Sequence, residues 1–169
     1  MRHVLLVVIA LAIAGCASQS PPNAAVAAVE PMPSVPTIYV SRHMRKGAGD
    51  DPNLSAEGAA EAVQLAELLK GRGIAAIFVT STKRSRETAQ PLATATGAPI
   101  ETYDPRDNAT LAKRAAAIPG SILIVGHSNT VPAIVAAVGG TPPGPMTEED
   151  FGRIFAVERA TGKTVESRL

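Results

Sequence analysis

Two hydrophobic rhythms alternate along this chain. Short, nearly continuous apolar runs cover residues 37–42, 74–80, 99–103 and 121–126, the length and β-branched character of buried strands. Between them lie longer segments with apolar residues at helical spacing, near 55–70, 83–96, 108–118 and 130–138. In the first of these, Ser55 is placed as an N-cap, Ala59, Val63, Ala66 and Leu69 form the expected inner stripe, and Gly71 is positioned to end the helix. Residues 139–145, rich in Gly and Pro, read as a loop. Residues 154–158 and 164–168 read as a closing hairpin around Thr161-Gly162. Strand–helix alternation with strands apolar on both faces predicts an α/β fold: a three-layer α/β/α sandwich with a mainly parallel central sheet. The connections are short, so no large cap insertion is expected and the site should be open.

The amino terminus follows a different pattern. After Arg2 and His3, residues 4–14 are an unbroken apolar run, too short for the roughly 20 residues a membrane-spanning helix needs. Residues 1–15 therefore read as a signal peptide. The run ends in Ile13-Ala14-Gly15-Cys16, which resembles the lipobox of bacterial lipoproteins, with Cys16 as the lipidated residue. That resemblance implies a lipid-tethered protein of the bacterial cell envelope, facing the periplasm. Alanine at position 17 points to the outer membrane rather than the inner. Residues 16–36 form a Pro/Ala/Ser-rich linker, leaving 37–169 as one domain.

Composition narrows the partners. Cys16 is the sole cysteine, so the domain beyond it has no thiol to misoxidise in an oxidising compartment. Acidic and basic residues nearly balance, at 15 and 16, and there is no tryptophan. Neither a basic surface nor stacking rings are evident, so nucleic acid is not an expected partner.

Beyond His3, the two remaining histidines each stand where a predicted strand ends. His43 closes Ser41-Arg42-His43, and His127 closes Gly126-His127-Ser128. Ligands of open α/β sheets sit outside the carboxyl ends of the strands. Two imidazoles at that edge, one preceded by arginine, suggest chemistry on an anion, with phosphate the first candidate. Two further segments complete an ordered set: Leu54-Ser55-Ala56-Glu57-Gly58 opens the first helix, and Thr80-Ser81-Thr82-Lys83-Arg84-Ser85-Arg86-Glu87-Thr88-Ala89 links the second strand to its helix.

Together these segments resemble the histidine phosphatase superfamily, with its phosphoglycerate mutase-like fold. The resemblance implies a histidine acid phosphatase-type phosphoric monoester hydrolase. His43 would be the nucleophile that becomes phosphohistidine, and Arg42, Arg84 and His127 would complete the phosphate pocket. Thr80 and Ser128 would add hydroxyls, with Asn129 either a donor or a helix cap. The helix after His127 would lend its backbone amides to the same rim. No metal or organic cofactor is implied. The expected partner is a phosphorylated substrate, whether a small phosphoester, a phosphoprotein or an envelope glycolipid.

Three positions depart from the family pattern. Met44 replaces the usual glycine after the histidine and is expected to reshape the pocket floor. Arg45 stands where an acidic residue is common and should make the entrance more positive. The leaving-group acid has no clear counterpart: Asp104 is the first candidate and Asp107 the second, although Asp107 also suits a helix cap. Glu148-Glu149-Asp150 reads as a solvated turn. The alternative to an enzyme is a catalytically inactive lipoprotein that recognises phosphate without turnover.

Overall fold

A computed structural model describes residues 35–169. The expected signal peptide, Cys16 and nearly all of the expected linker lie outside the described residues. The elements follow the order read from the hydrophobic pattern: β1 (Thr37–Arg42), α1 (Ala56–Leu69), β2 (Ile74–Val79), α2 (Lys83–Thr96), β3 (Ile100–Thr102), α3 (Asn108–Ala117), β4 (Ser121–Gly126), α4 (Val131–Ala137), β5 (Arg153–Glu158) and β6 (Thr164–Arg168). They build one six-stranded sheet in the order β3-β2-β4-β1-β5-β6. The first four strands pair in parallel, whereas β5 joins β1 antiparallel and β6 closes a hairpin on β5. The sheet is therefore mixed, with a parallel centre and an antiparallel edge. No helix among the described residues is long and apolar enough to cross a membrane.

Strand alternation distributes two cores over the two faces of the sheet. Tyr39, Ile77, Val79, Leu123 and Val125 point to one face, against Leu65 and Leu69 of α1 and Ala89 and Leu92 of α2. Ile38, Val40, Phe78, Ile122 and Ile124 point to the other, against Leu111 of α3 and Ile134 and Val135 of α4. With both faces covered, β1 and β4 are buried at every position, which is why their sequences are apolar without alternation.

Two local expectations need correction. The inner stripe of α1 is Gly58, Ala62, Leu65, Ala66 and Leu69, while Ala59 and Val63 face outward and Val63 is 52% exposed. Gly58 sets this rotation, because it must turn toward the backbone of Arg45. The helix ends at Leu69, and the left-handed residue that redirects the chain into β2 is Gly73 (φ 64°), not Gly71. Ser55 and Asp107 do cap their helices, accepting from the backbone N–H groups of Gly58 and Thr110.

Candidate active site

Parallel pairing of β1 with β4 places Arg42 opposite Gly126, so the residues that follow each strand emerge side by side. The backbone N–H of His43 donates to Gly126 O at 3.0 Å. The two imidazoles end edge to face with ring centroids 5.2 Å apart. They line a cleft of about 390 Å³ together with Arg42, Lys46, Arg84, Ser128, Asn129 and Glu148. Five expected site residues thus converge: Arg42, His43, Arg84, His127 and Ser128.

Local geometry fixes the tautomer of His43. Its Nδ1 lies 2.8 Å from Met44 O, and a carbonyl oxygen can only accept. The proton therefore sits on Nδ1 and the lone pair on Nε2. Burial, reinforced by the positive charges of Arg42 and Arg84 and by His127, pushes the His43 pKa down to about 3. Burial and the same two arginines lower His127 to about 4. Both rings are consequently neutral across the physiological range.

The segment after His43 is clamped by the motif residues. Thr88 Oγ1 accepts from Met44 N at 3.0 Å, and Ser55 N donates to Arg45 O at 3.0 Å. The Arg45 backbone passes so close to Gly58 that a Cβ there would stand 1.9 Å from Arg45 O. Gly58 and Thr88 thus fix the path of the peptide that follows His43. Arg84 is aimed from the first turn of α2 and pairs with Asp51 at 3.6 Å. Both guanidinium Nε atoms, on Arg42 and Arg84, are buried donors without an acceptor among the described residues, and the two residues line the cleft.

Several side chains are not where the sequence suggested. Asp104 does not line this cleft: it forks with Arg106 (Arg106 Nη2–Asp104 Oδ2 2.9 Å), which holds its pKa down at about 2. A carboxylate so placed is a poor proton donor. Asp107 is occupied as the α3 cap. Thr80 is buried behind His127, its Oγ1 3.0 Å from His127 Nε2 and also bonded to Ser85. It orients the ring rather than facing the cleft. The amides that open α4 are not available either, since Thr130 N and Val131 N both donate to His127 O, Pro132 has no N–H and α4 has only seven residues.

Met44 does not form the pocket floor. Its side chain is wholly buried in the core shared by α1 and α2. Arg45 adds little positive charge to the entrance, because Glu61 (2.8 Å) and Glu57 (3.1 Å) pair with it.

Glu148 and Phe151 belong to the site and were not recognised from sequence. They lie on the long connection from α4 to β5, which bends back over Arg42. Arg42 Nη1 donates to Thr147 O (3.0 Å) and Glu148 O (2.7 Å), and Nη2 donates to Glu148 Oε2 (2.9 Å). Ser128 Oγ donates to Glu148 Oε1 at 2.8 Å. The Phe151 ring covers the Arg42 guanidinium at 4.0 Å. The expectation of a fully open pocket is therefore revised: one loop covers the Arg42 side. No local pattern around Glu148 signals this, because the contact spans 106 residues of sequence.

The model of the histidine phosphatase superfamily (branch 1) matches residues 38–106, the stretch holding Arg42, His43, the helix opening and Arg84. Over that stretch, less than half of the chain, the sequence resembles the histidine phosphatase superfamily. Among solved structures, the protein histidine phosphatase SixA bound to tungstate shares 22% identity over 78% of this chain and 94% of its own, with a TM-score of 0.59. A mycobacterial glucosyl-3-phosphoglycerate phosphatase shares 14% over 79% and 97%, with a TM-score of 0.61. Its complex with inorganic phosphate gives 14%, 79% and 96%, and a TM-score of 0.57. No curated protein sequence matches the chain significantly. At these identities the likeness establishes the histidine phosphatase fold, and the chemistry rests on the site itself.

The neutral histidines make stability depend on pH. As pH falls below 6.5, the unfolded chain binds protons at these positions while the folded chain does not until about pH 4 and 3. Protonation then pulls toward unfolding, by up to about 1.4 kcal/mol per pH unit for each ring. The melting temperature is expected to fall between pH 6.5 and 4.5, above the range where the carboxylates titrate. The His43→Ala variant should show a shallower fall. A wild-type melting temperature that stays flat over this window would contradict the buried neutral pair.

Proposed function

We propose that this protein is a phosphatase that hydrolyses a phosphomonoester through a phosphohistidine at His43, working in the bacterial cell envelope on a lipid tether at Cys16. The observation that carries the reading is the pair of neutral imidazoles set 5.2 Å apart between two arginines whose buried Nε donors lack an acceptor among the described residues. His43 Nε2 attacks phosphorus in line with the leaving oxygen. Arg42, Arg84 and His127 hold the equatorial oxygens, where charge collects as the phosphoryl group transfers. Water then attacks phosphorus, the N–P bond breaks, and inorganic phosphate leaves.

Support for the substrate class comes from the SixA and glucosyl-3-phosphoglycerate phosphatase neighbours, whose names both specify phosphate removal. The deciding experiment is hydrolysis of p-nitrophenyl phosphate by the wild type and by His43→Ala. No release by a folded wild type between pH 4 and 8 would favour the second reading, a phosphate-recognising lipoprotein without turnover. One observation speaks for that alternative: both terminal nitrogens of Arg42 are already engaged by Thr147 and Glu148. The tether has its own test. Cys16→Ser should move the protein from the membrane fraction to the soluble periplasmic fraction, and an unchanged distribution would dismiss the lipid anchor.

A further inference from the structure

The proton balance of this hydrolysis requires a donor that the histidines do not provide. Attack by His43 Nε2 forms an N–P bond and breaks a P–O bond, leaving an oxyanion that must gain a proton unless it is already a good leaving group. The Nδ1 proton of His43 is committed to Met44 O. His127 Nε2 is engaged with Thr80. The two arginines keep their protons at any working pH. Asp104 and Asp107 are occupied away from the cleft, at Arg106 and at the α3 cap. Asp51 pairs with Arg84 but does not line the cleft, and among the residues that do, Glu148 is the only carboxylate.

We propose that Glu148 is the proton carrier of the reaction, giving a proton to the leaving oxygen in the first half and taking one from the attacking water in the second. The proposal rests on the phosphatase reading and assigns it a catalytic residue. In the free protein the Ser128 hydroxyl, then the charge of Arg42, hold Glu148 below the usual carboxylate pKa, with Lys46 adding to the effect. The resting carboxylate is thus ionised and ready to act as a base. An arriving phosphate competes for Arg42 and brings about two negative charges close to the carboxylate, and like charges favour its protonation. Substrate binding itself therefore loads the proton that the leaving oxygen later receives.

Both half-reactions balance. In the first, the Glu148 O–H bond breaks as the leaving group's O–H forms, and the phosphoryl group passes to His43. In the second, water's proton returns to Glu148 as its oxygen bonds to phosphorus and His43 Nε2 regains its lone pair. Facing Glu148 are Arg42 from the end of β1, Lys46 beyond it, Arg84 from α2, and His127 and Ser128 after β4. Glu149 and Asp150 are its chain neighbours, and Asp150 is turned to Thr147 and Arg153.

The test compares kcat/KM of wild type and Glu148→Gln over aryl phosphates from p-nitrophenyl to phenyl phosphate. Glutamine keeps the size and one acceptor oxygen but cannot carry the proton. The variant is expected to lose on the order of 10²-fold on phenyl phosphate and less than about tenfold on p-nitrophenyl phosphate, whose leaving group needs little help. Its decline with rising pH should also flatten. Equal losses on every ester would mean a structural role and overturn the proposal. A gain on every ester would also overturn it, showing that the carboxylate merely obstructs Arg42. Glu148→Ala, checked by thermal melting, guards against a glutamine-specific misfit. A wild type inactive on all esters, with no phosphohistidine formed, would remove the phosphatase reading and this assignment together.

Discussion

His43→Ala is expected to abolish turnover of p-nitrophenyl phosphate, lowering kcat on the order of 10⁴-fold or more, while the protein stays folded. The size follows from the absence of a substitute. His127 cannot take over, because its ring sits on the Thr80 hydroxyl and its centroid lies 5.2 Å from that of His43. Water would have to attack directly without the N–P intermediate. Phosphate affinity should survive the change, since Arg42, Arg84 and His127 remain. Measuring vanadate or phosphate binding beside the rates separates lost chemistry from lost recognition. A variant retaining a tenth of the wild-type rate would show that His43 is not the nucleophile.

Gly58→Ala should produce the largest effect on stability. An added Cβ would lie 1.9 Å from Arg45 O and within 2.9 Å of Arg45 N and C, all backbone atoms that no rotamer change can move aside. Either α1 lifts away from α2 and the sheet or the 44–46 segment shifts, at a cost of about 3 kcal/mol or more. The melting temperature should drop by more than about 10 °C. Activity should fall further than stability alone explains, because the displaced segment carries the carbonyl that sets the His43 tautomer. Gly71→Ala is the control: nothing lies within 4 Å of a Cβ there and its backbone is not left-handed, so its melting temperature should barely change. Equal melting temperatures for both variants would refute the close approach.

The order and type of elements were legible because the hydrophobic rhythm is strong: β1 and β4 are buried throughout, and their apolar runs have no other reading. Four of the cleft residues were legible for a related reason. Arg42, His43 and His127 follow directly from strand ends that lie side by side, and Arg84 opens the next helix. Finer points were less accessible. The face of α1 came out rotated, since Ala59 and Val63 match a helical period as well as Ala62 and Leu65 do. Comparison with the family glycine points Met44 at the pocket, yet its side chain is buried in the core.

The chain alone thus determined a strand–helix alternation with histidines and arginines at one sheet edge, because periodicity and chain order are properties of neighbouring residues. Which carboxylate joins them was decided only by tertiary structure. Asp104 stands beside Arg106, two residues away, and is neutralised there. Glu148 arrives from a loop 106 residues beyond Arg42 and is held by Arg42 and Ser128. An ion pair formed across that much chain depends on how the loop folds back over the sheet, and no local pattern of charge or polarity encodes it.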